Sequence, residues 1–340
     1  MSTTGKKSSF ATLNDVARLA NVSPITVSRV FNPKWKGRVR ESTVTAVMEA
    51  AERLHYTPNG LASSLVSSRT NTIAVVIGRS AGYFYSRFLV EIANRVQRAN
   101  WQILVFALDD TTQIESIVAQ VLRHRVDAIV VTSAVLTYEI PKHFSGINIP
   151  VILFKRPSTL AGLSGVWCDD QGAAAKAAEF LVENGHRRIG IVSDPYGETY
   201  RDRAFIAKLA EYGLQPLHVC PGSYRHQDGW RGAVEIMKHG RPDAIFCDED
   251  TMAMGAIDAL RCEFHLRVPE DVSVMGFDDN PAACLPAYDL TTMGHRLNEM
   301  LDALIAAIRQ ELETPGVRFT RQFDMDLVVR SSVRLDRPVR

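Results

Sequence analysis

Between residues 11 and 58 the apolar positions recur at helical spacing. Leu13, Val16, Ala17 and Ala20 fall at i, i+3, i+4 and i+7 and make one face. Thr12 precedes that face and Asp15 follows three residues later, a capping-box pattern that fixes the helix start. Asn21-Val22-Ser23 reads as a turn. Ser23 is then an N-cap, and Pro24 takes the first helical position, where no amide hydrogen is missed. The second helix turns Val27, Val30 and Phe31 inward and leaves Pro24, Ile25, Ser28 and Arg29 outside. A third face of Val44, Val47, Met48, Ala51 and Leu54 runs over 42–55, and Pro58 stops it. Two short helices on a tight turn, the second offering small, polar and arginine side chains near its start, predict helix-turn-helix geometry. Two core helices of an ordinary domain would leave the exposed Ile25 and Arg29 unexplained.

From Thr72 onward the rhythm changes. Short apolar runs (TIAVVI, QILVFA, DAIVVT, PVILF, RIGIV, DAIFC, VSVMGF) alternate with helical patterns over 84–99, 113–124, 173–184, 200–211, 228–237 and 251–262. Fully apolar strands between amphipathic helices mean parallel sheets covered on both faces. The units are too many for one comfortable sheet, so the expected class is α/β: an all-α head followed by two doubly wound lobes. The segment from 330 to 340 is polar and is expected to fray.

Charge separates the two parts. Residues 1–70 carry ten Lys or Arg against four Asp or Glu, whereas the whole chain is only +1. A basic head on an acidic body is the electrostatic footprint of a nucleic-acid binder. No apolar run approaches membrane-spanning length, and residues 1–10 read as a disordered leader without a signal-peptide core. The five cysteines are scattered, with no CxxC pair and no metal-ligand spacing, so reduced, mostly buried thiols and no metal are expected. No Walker loop, GxGxxG or catalytic pair is present, so neither cofactor nor enzymatic activity is expected.

The runs DVARLANVSPITVSRVFN and LHYTPNGLASSL resemble the DNA-binding head and hinge of the lactose/galactose repressor family of bacterial transcription regulators. The likeness continues through GHRRIGIV, the run from PDAIFCDEDTMAMGAIDALR to VPEDVSVMGFDD, and LTTM, covering residues 11–335. It implies a periplasmic-binding-protein-like body with a cleft between lobes and chain crossings near Asp169, Met293 and Phe323. The expected domains are a head at 11–58, a hinge helix or linker at 59–71, and an effector-binding and dimerisation body at 72–336. Its N-lobe would hold about 72–168 and 294–323, and its C-lobe about 169–293 and 324–336.

For the head, the resemblance implies base reading through Ile25, Thr26 and Arg29. Thr12, Ser23, Pro24, Ser28, Asn32 and the basic loop 33–38 would be the other DNA contacts. That loop is two residues longer than is typical of the family, and Arg40 stands where a serine cap is frequent. Its lysines and arginine meet phosphates or form a solvated charge run. Asn59 to Ser68 is a poor autonomous helix. The resemblance implies that Asn59, Ala62 and Leu65 act in the minor groove, Leu65 as an apolar wedge that bends the duplex. An ordinary linker is the plain alternative.

In doubly wound folds ligands bind beyond the carboxyl ends of strands. Asp278, directly after VSVMGF, matches a carboxylate that relatives use on their effector, or else it caps a loop. Arg201 in RDRAF matches the family's effector arginine with Ala204 in place of glycine, and Arg203 competes with it. Tyr224 matches an aromatic position that stacks on effectors, while Trp230 is assigned to packing. Phe84 and Tyr85 either overhang the cleft or pack in the core. Two departures concern charge: Lys155, followed by Arg156, stands where relatives carry aspartate, and Glu249-Asp250 stands where many read Asn-Asp. Lys155 points either to an anionic effector or to an internal pair with Glu249.

The reading is a cytoplasmic, homodimeric regulator, nucleoid-associated when bound to a near-palindromic operator, and a repressor rather than an activator. A small-molecule effector would set its DNA affinity: a sugar acid or sugar phosphate, held by Arg201 and Lys155 at its anionic end and by Asp278 through hydroxyls, is the first reading, and a neutral sugar is the alternative. With no leucine heptads at the C-terminus, a dimer is favoured over a tetramer. A sugar-metabolising enzyme would need catalytic residues that the sequence does not offer. A ligand-independent architectural DNA protein would need no cleft.

Overall fold

Helix α1 (Leu13–Leu19) starts where the sequence places its cap. The Thr12 hydroxyl accepts from the Asp15 amide, and the Asp15 carboxylate accepts from the Thr12 amide at 2.9 Å. Helix α2 (Pro24–Phe31) begins on Ser23, whose hydroxyl accepts from the Thr26 amide, and α3 spans Glu41–Arg53. Arg40 caps α3 without a side-chain hydrogen bond. The structure is a computed structural model that describes residues 11–32, 35–57, 69–78, 83–108, 114–132, 148–156, 163–193 and 200–336. Asn59, Ala62 and Leu65, with the wedge role assigned to Leu65, lie outside the described residues, as do Pro33 and Lys34.

The chain divides into two compact units, one within residues 1–70 and one within 71–340. In the first, Val16, Ala17, Val27, Val47, Ala50 and Ala51 form the buried centre, with Phe31 and Tyr56 meeting edge to face at 5.8 Å. One expectation fails here: Met48 is exposed, and Ala50 takes the inner position. The inner face of α3 centres on Val47, Ala50, Ala51 and Leu54, because small alanines let α3 approach α1 and α2 closely.

The second unit contains, in chain order, β1 (Thr72–Gly78), α4 (Tyr83–Arg98), β2 (Gln102–Leu108), α5 (Ile114–Arg123), β3 (Ala128–Thr132), β4 (Val151–Phe154), β5 (Ser164–Cys168) and α6 (Asp170–Glu183). There follow β6 (Ile189–Ser193), α7 (Arg201–Glu211), β7 (His218–Pro221), α8 (His226–Lys238), β8 (Ala244–Cys247), α9 (Asp250–Cys262) and β9 (Ser273–Met275). The unit ends with β10 (Thr292–His295), α10 (Leu297–Glu313), β11 (Thr320–Phe323) and β12 (Met325–Val328). A six-stranded parallel sheet has the order β11-β5-β4-β3-β1-β2, and a four-stranded parallel sheet the order β7-β6-β8-β9.

Three chain passages join the sheets: β5 into α6, β10 into α10, and β11 into β12. Strands β10 and β12 pair antiparallel, with Met293 opposite Leu327. One apolar cluster runs from Phe88 on α4 and Phe154 on β4 to Phe205 on α7, Phe246 on β8 and Phe277 just after β9. The Phe205 and Phe246 rings stack at 4.1 Å. The ends of β4, β5 and β10 and the residue after β9 therefore converge on one place.

The C-terminal segment does not fray over its described part. Ser332 and Val333 are buried; the Val274 amide donates to the Ser332 carbonyl at 2.8 Å, and the Ser332 hydroxyl donates to the Val274 carbonyl at 2.6 Å. A polar segment stays ordered when its polar groups meet backbone groups that would otherwise be buried without partners.

Candidate functional site

On the head, α2 exposes Pro24, Ile25, Ser28 and Arg29, with Thr26 half-buried. Ile25 is 64 % exposed, which is unusual for an isoleucine on a folded helix. Ser23 and Thr26 hydroxyls lie 2.9 Å apart, so the cap also fixes the Thr26 side chain. Lys36, Arg38 and Arg40 are exposed beyond α2, and Asn32 is its C-cap. The exposed Thr12 hydroxyl donates to Asp15 at 2.6 Å, so a phosphate there would share or compete for that donor.

In the body, the residues at the converging strand ends form a buried ionic cluster. Arg201, at the first turn of α7, is buried and spends each guanidinium nitrogen internally. Nε and Nη2 donate to Asp170 at 3.0 and 2.6 Å, Nη1 to the Asp248 carbonyl at 2.7 Å, and Nη2 also to Asp278 at 3.0 Å. Its plane lies 3.9 Å from the Phe277 ring centre. Arg203 is exposed, over the Tyr200 ring, so of the two arginines only Arg201 joins the cluster.

Lys155 is buried too. Its Nζ stands 2.9 Å from His295 Nε2, 3.5 Å from Asp278 Oδ1 and 4.1 Å from the Phe84 ring centre. The internal pair between Lys155 and Glu249, one of the two alternatives, does not form; Lys155 goes to Asp278 instead. Glu249 turns to its own helix, accepting from the Thr251 amide at 2.6 Å and the Thr251 hydroxyl at 2.9 Å, and so caps α9. A carboxylate two residues from the first free amides of a helix meets donors that Lys155 cannot match at longer range.

His295 Nε2 lies 2.7 Å from Asp278 Oδ1 as well as near Lys155. As a neutral ring it serves one of them: a protonated Nε2 donates to Asp278, a bare one accepts from Lys155. Burial, and then the Lys155 charge, push the His295 pKa down. Burial works to raise the Asp278 carboxyl, but Arg201, Lys155 and His295 outweigh it and hold it well below the usual carboxylate range. Glu249 goes the other way, pushed up to about 7 by burial and then by Asp278. Asp250 is raised as well, by burial, against the hydrogen bond that it accepts from Thr292.

The backbone carries strain at the same place. Lys155, Tyr200, Tyr224 and Asp278 all adopt positive φ, Asp278 at 99°. Such conformations cost energy for residues with a Cβ and concentrate at functional sites. Phe84, Arg87, Asp278, Asp279, Asn280 and His295 line a small, partly open pocket. Tyr85 is a correction: it is buried in the core cluster against Phe88, so only Phe84 of that pair reaches the cleft. Tyr224 is half-buried against the second apolar cluster, and its phenol is among the groups acting on Arg201. Trp230 packs, with its indole N–H donating to Glu263 at 2.7 Å.

Asp170, His295 and the Asp248 carbonyl escaped the sequence reading. Asp170 follows SGVWC closely, and inspection of strand ends finds it once that run is read as a strand. His295 ends a four-residue strand, TMGH, whose threonine and glycine hide its period. Cys168, Cys220 and Cys247 are buried, while Cys262 and Cys284 are exposed. Burial pushes the Cys168 thiol up to about 12, so it is an inert neighbour of His295 and Met300.

Elsewhere His218, Glu235 and His239 come within 4.8 Å of one another, a grouping that linear spacing did not show. The imidazoles stack face to face at 3.7 Å and 11° from parallel. Their in-plane lone pairs therefore run side by side instead of converging, and Glu235 is paired with Lys238 at 2.7 Å.

Comparison with known proteins places both units. Residues 12–59 match the family of bacterial regulatory proteins, lacI family, and residues 70–301 match the periplasmic binding proteins and sugar binding domain of LacI family. An HTH-type transcriptional repressor PurR from Glaesserella parasuis serovar 5 (strain SH0165) is 30 % identical over 96 % of this chain and 99 % of its own length. Among solved structures, the lac repressor dimer bound to operator and the anti-inducer ONPF superposes with a TM-score of 0.85 at 22 % identity, over 95 % of this chain and 99 % of that one. The transcriptional regulator CelR–cellobiose complex superposes with a TM-score of 0.70 at 25 % identity, over the same shares of the two chains. No helix among the described residues is long and apolar enough to cross a membrane.

Proposed function

This chain belongs to the lacI family of bacterial regulatory proteins, DNA-binding transcription regulators controlled by small molecules, and on that premise we propose how its residues divide the work. Each head of a homodimer reads one half of a near-palindromic operator through Ile25, Thr26 and Arg29, and represses. Ser23, Pro24, Ser28 and Asn32 border that surface, and Lys36, Arg38 and Arg40 meet phosphates. The observation that carries this reading is the face of α2: an exposed isoleucine beside an exposed arginine on a capped helix. The protein acts in the cytoplasm, at the nucleoid when DNA-bound.

The effector sits at the buried cluster, against Asp278, Arg201, His295, Phe84 and Tyr224. An anionic effector is the less favoured of the two earlier alternatives. Lys155 and Arg201 are balanced by Asp170 and Asp278, so an added anion would meet cations already paired. Hydroxyl groups suit the cluster better, because each can accept from Arg201 and donate to Asp278 without adding charge. The effector is thus an uncharged, polyhydroxylated molecule, and the likeness to a regulator seen with cellobiose supports a saccharide. Selection of bound duplexes by the full-length protein, with and without a library of sugars and sugar acids, tests the whole reading. A palindromic consensus whose recovery changes with a neutral sugar is expected; recovery of unrelated sequences regardless of sugar would overturn it.

A further inference from the structure

Beyond α2, residues 35–38 turn back towards it. The Trp35 amide donates to the Asn32 carbonyl at 2.9 Å, and the Arg38 amide donates to the Trp35 carbonyl at 2.9 Å. This turn lays the half-buried indole of Trp35 against the exposed Arg29, whose Cζ is 4.4 Å from the ring centre. Arg38 stands on the same ring at 6.0 Å. An indole face attracts a guanidinium, and the planar group stacks on it without using its N–H edge. That edge is what forks onto the acceptors of a guanine. An unsupported surface arginine samples many rotamers, and freezing them on binding costs entropy.

We propose that Trp35 is a positioning residue for DNA reading: it holds the Arg29 guanidinium flat with its donor edge outward, so the loop after α2 sets how strictly the second helix discriminates at one base pair of each half-site. The proposal rests on Arg29 reading a base, as argued under the proposed function. Trp35 itself contacts no base in this scheme. It acts by reducing the number of conformations that Arg29 must abandon.

The test uses the full-length protein and the duplex that it selects. Trp35→Leu, which keeps an apolar side chain but no aromatic face, should lower discrimination by about two- to five-fold per half-site at the position relaxed by Arg29→Ala. Affinity for random DNA should fall by less than affinity for the selected duplex, any loss there coming through Arg38 on the same ring. Trp35→Phe should restore most of the discrimination, and Trp35→Leu should add nothing in an Arg29→Ala background, the signature of two residues acting as one. In DNA-free protein labelled with 5-fluorotryptophan, the resonance lost in Trp35→Phe should shift in Arg29→Met.

Two failures are distinguishable. If Arg29→Ala relaxes no position, the base-reading assignment falls and the platform falls with it. If Arg29→Ala relaxes a position that Trp35→Leu leaves intact, or the fluorine resonance ignores Arg29, the platform alone is overturned.

Discussion

Single residues here are legible by what neutralises them. Asp278 is held ionised by Arg201, Lys155 and His295, whereas Glu249, buried at the start of α9, is pushed up to about 7 against an ordinary value of 4.5. A carboxyl raised in the folded state makes no pH-dependent contribution while both states are protonated. It costs stability as pH climbs from about 4.5 through 7, where the unfolded chain releases its proton first. Glu249→Gln should therefore gain on the wild type across that window, by about 1–3 kcal/mol at its upper end. Urea unfolding at several pH values reads this directly, and a difference that does not vary with pH would mean that Glu249 is ionised in the fold. On the head, Arg29→Ala should weaken binding by about 1–3 kcal/mol per half-site and relax one symmetric position. Equal losses on selected and random duplexes would make Arg29 a phosphate anchor instead.

At the scale of elements, helix starts were the most readable features. Thr12 with Asp15, and Ser23 with Pro24, cap α1 and α2 as their side-chain chemistry requires, because capping is decided within four residues. The C-terminal segment was misread, because its order comes from partners about forty and sixty residues away: the Thr291 amide donates to Ser332 Oγ at 2.8 Å, and Ser332 Oγ donates to the Val274 carbonyl. Ser332→Ala should leave a buried amide and a buried carbonyl without that hydroxyl and cost about 1–3 kcal/mol. Thermal unfolding of the variant measures it, and an unchanged midpoint would show that this hydroxyl does not hold the segment. Strands β5, β7, β10, β11 and β12 were also missed. Four or five residues interrupted by small, polar or charged side chains show no clear apolar period, and sheet neighbours supply what propensity lacks.

For the whole molecule, the separation of a basic head from an acidic body was visible in charge alone, and its consequence is measurable. Head binding to phosphates should fall steeply with salt, whereas effector binding at a buried, balanced cluster should hardly respond. Calorimetry of the full chain with an aldose and its aldonic acid at two salt concentrations tests both the site and the effector class. Tighter, salt-sensitive binding of the acid would show that the cluster holds an unbalanced cation. Lys155→Met should then abolish that preference.

Sequence by itself determined the helix-turn-helix pattern, its caps, the alternation of buried strands and helices, and the residues standing at strand ends, because these follow from local period and from side chains close along the chain. Only the tertiary structure decided how those strand-end residues pair. Lys155 met Asp278 and His295 instead of Glu249, and Arg201 was satisfied by Asp170. These partners lie between 31 and 140 residues apart. Burial makes each charge seek its nearest opposite, and only the convergence of two sheets fixes which one that is.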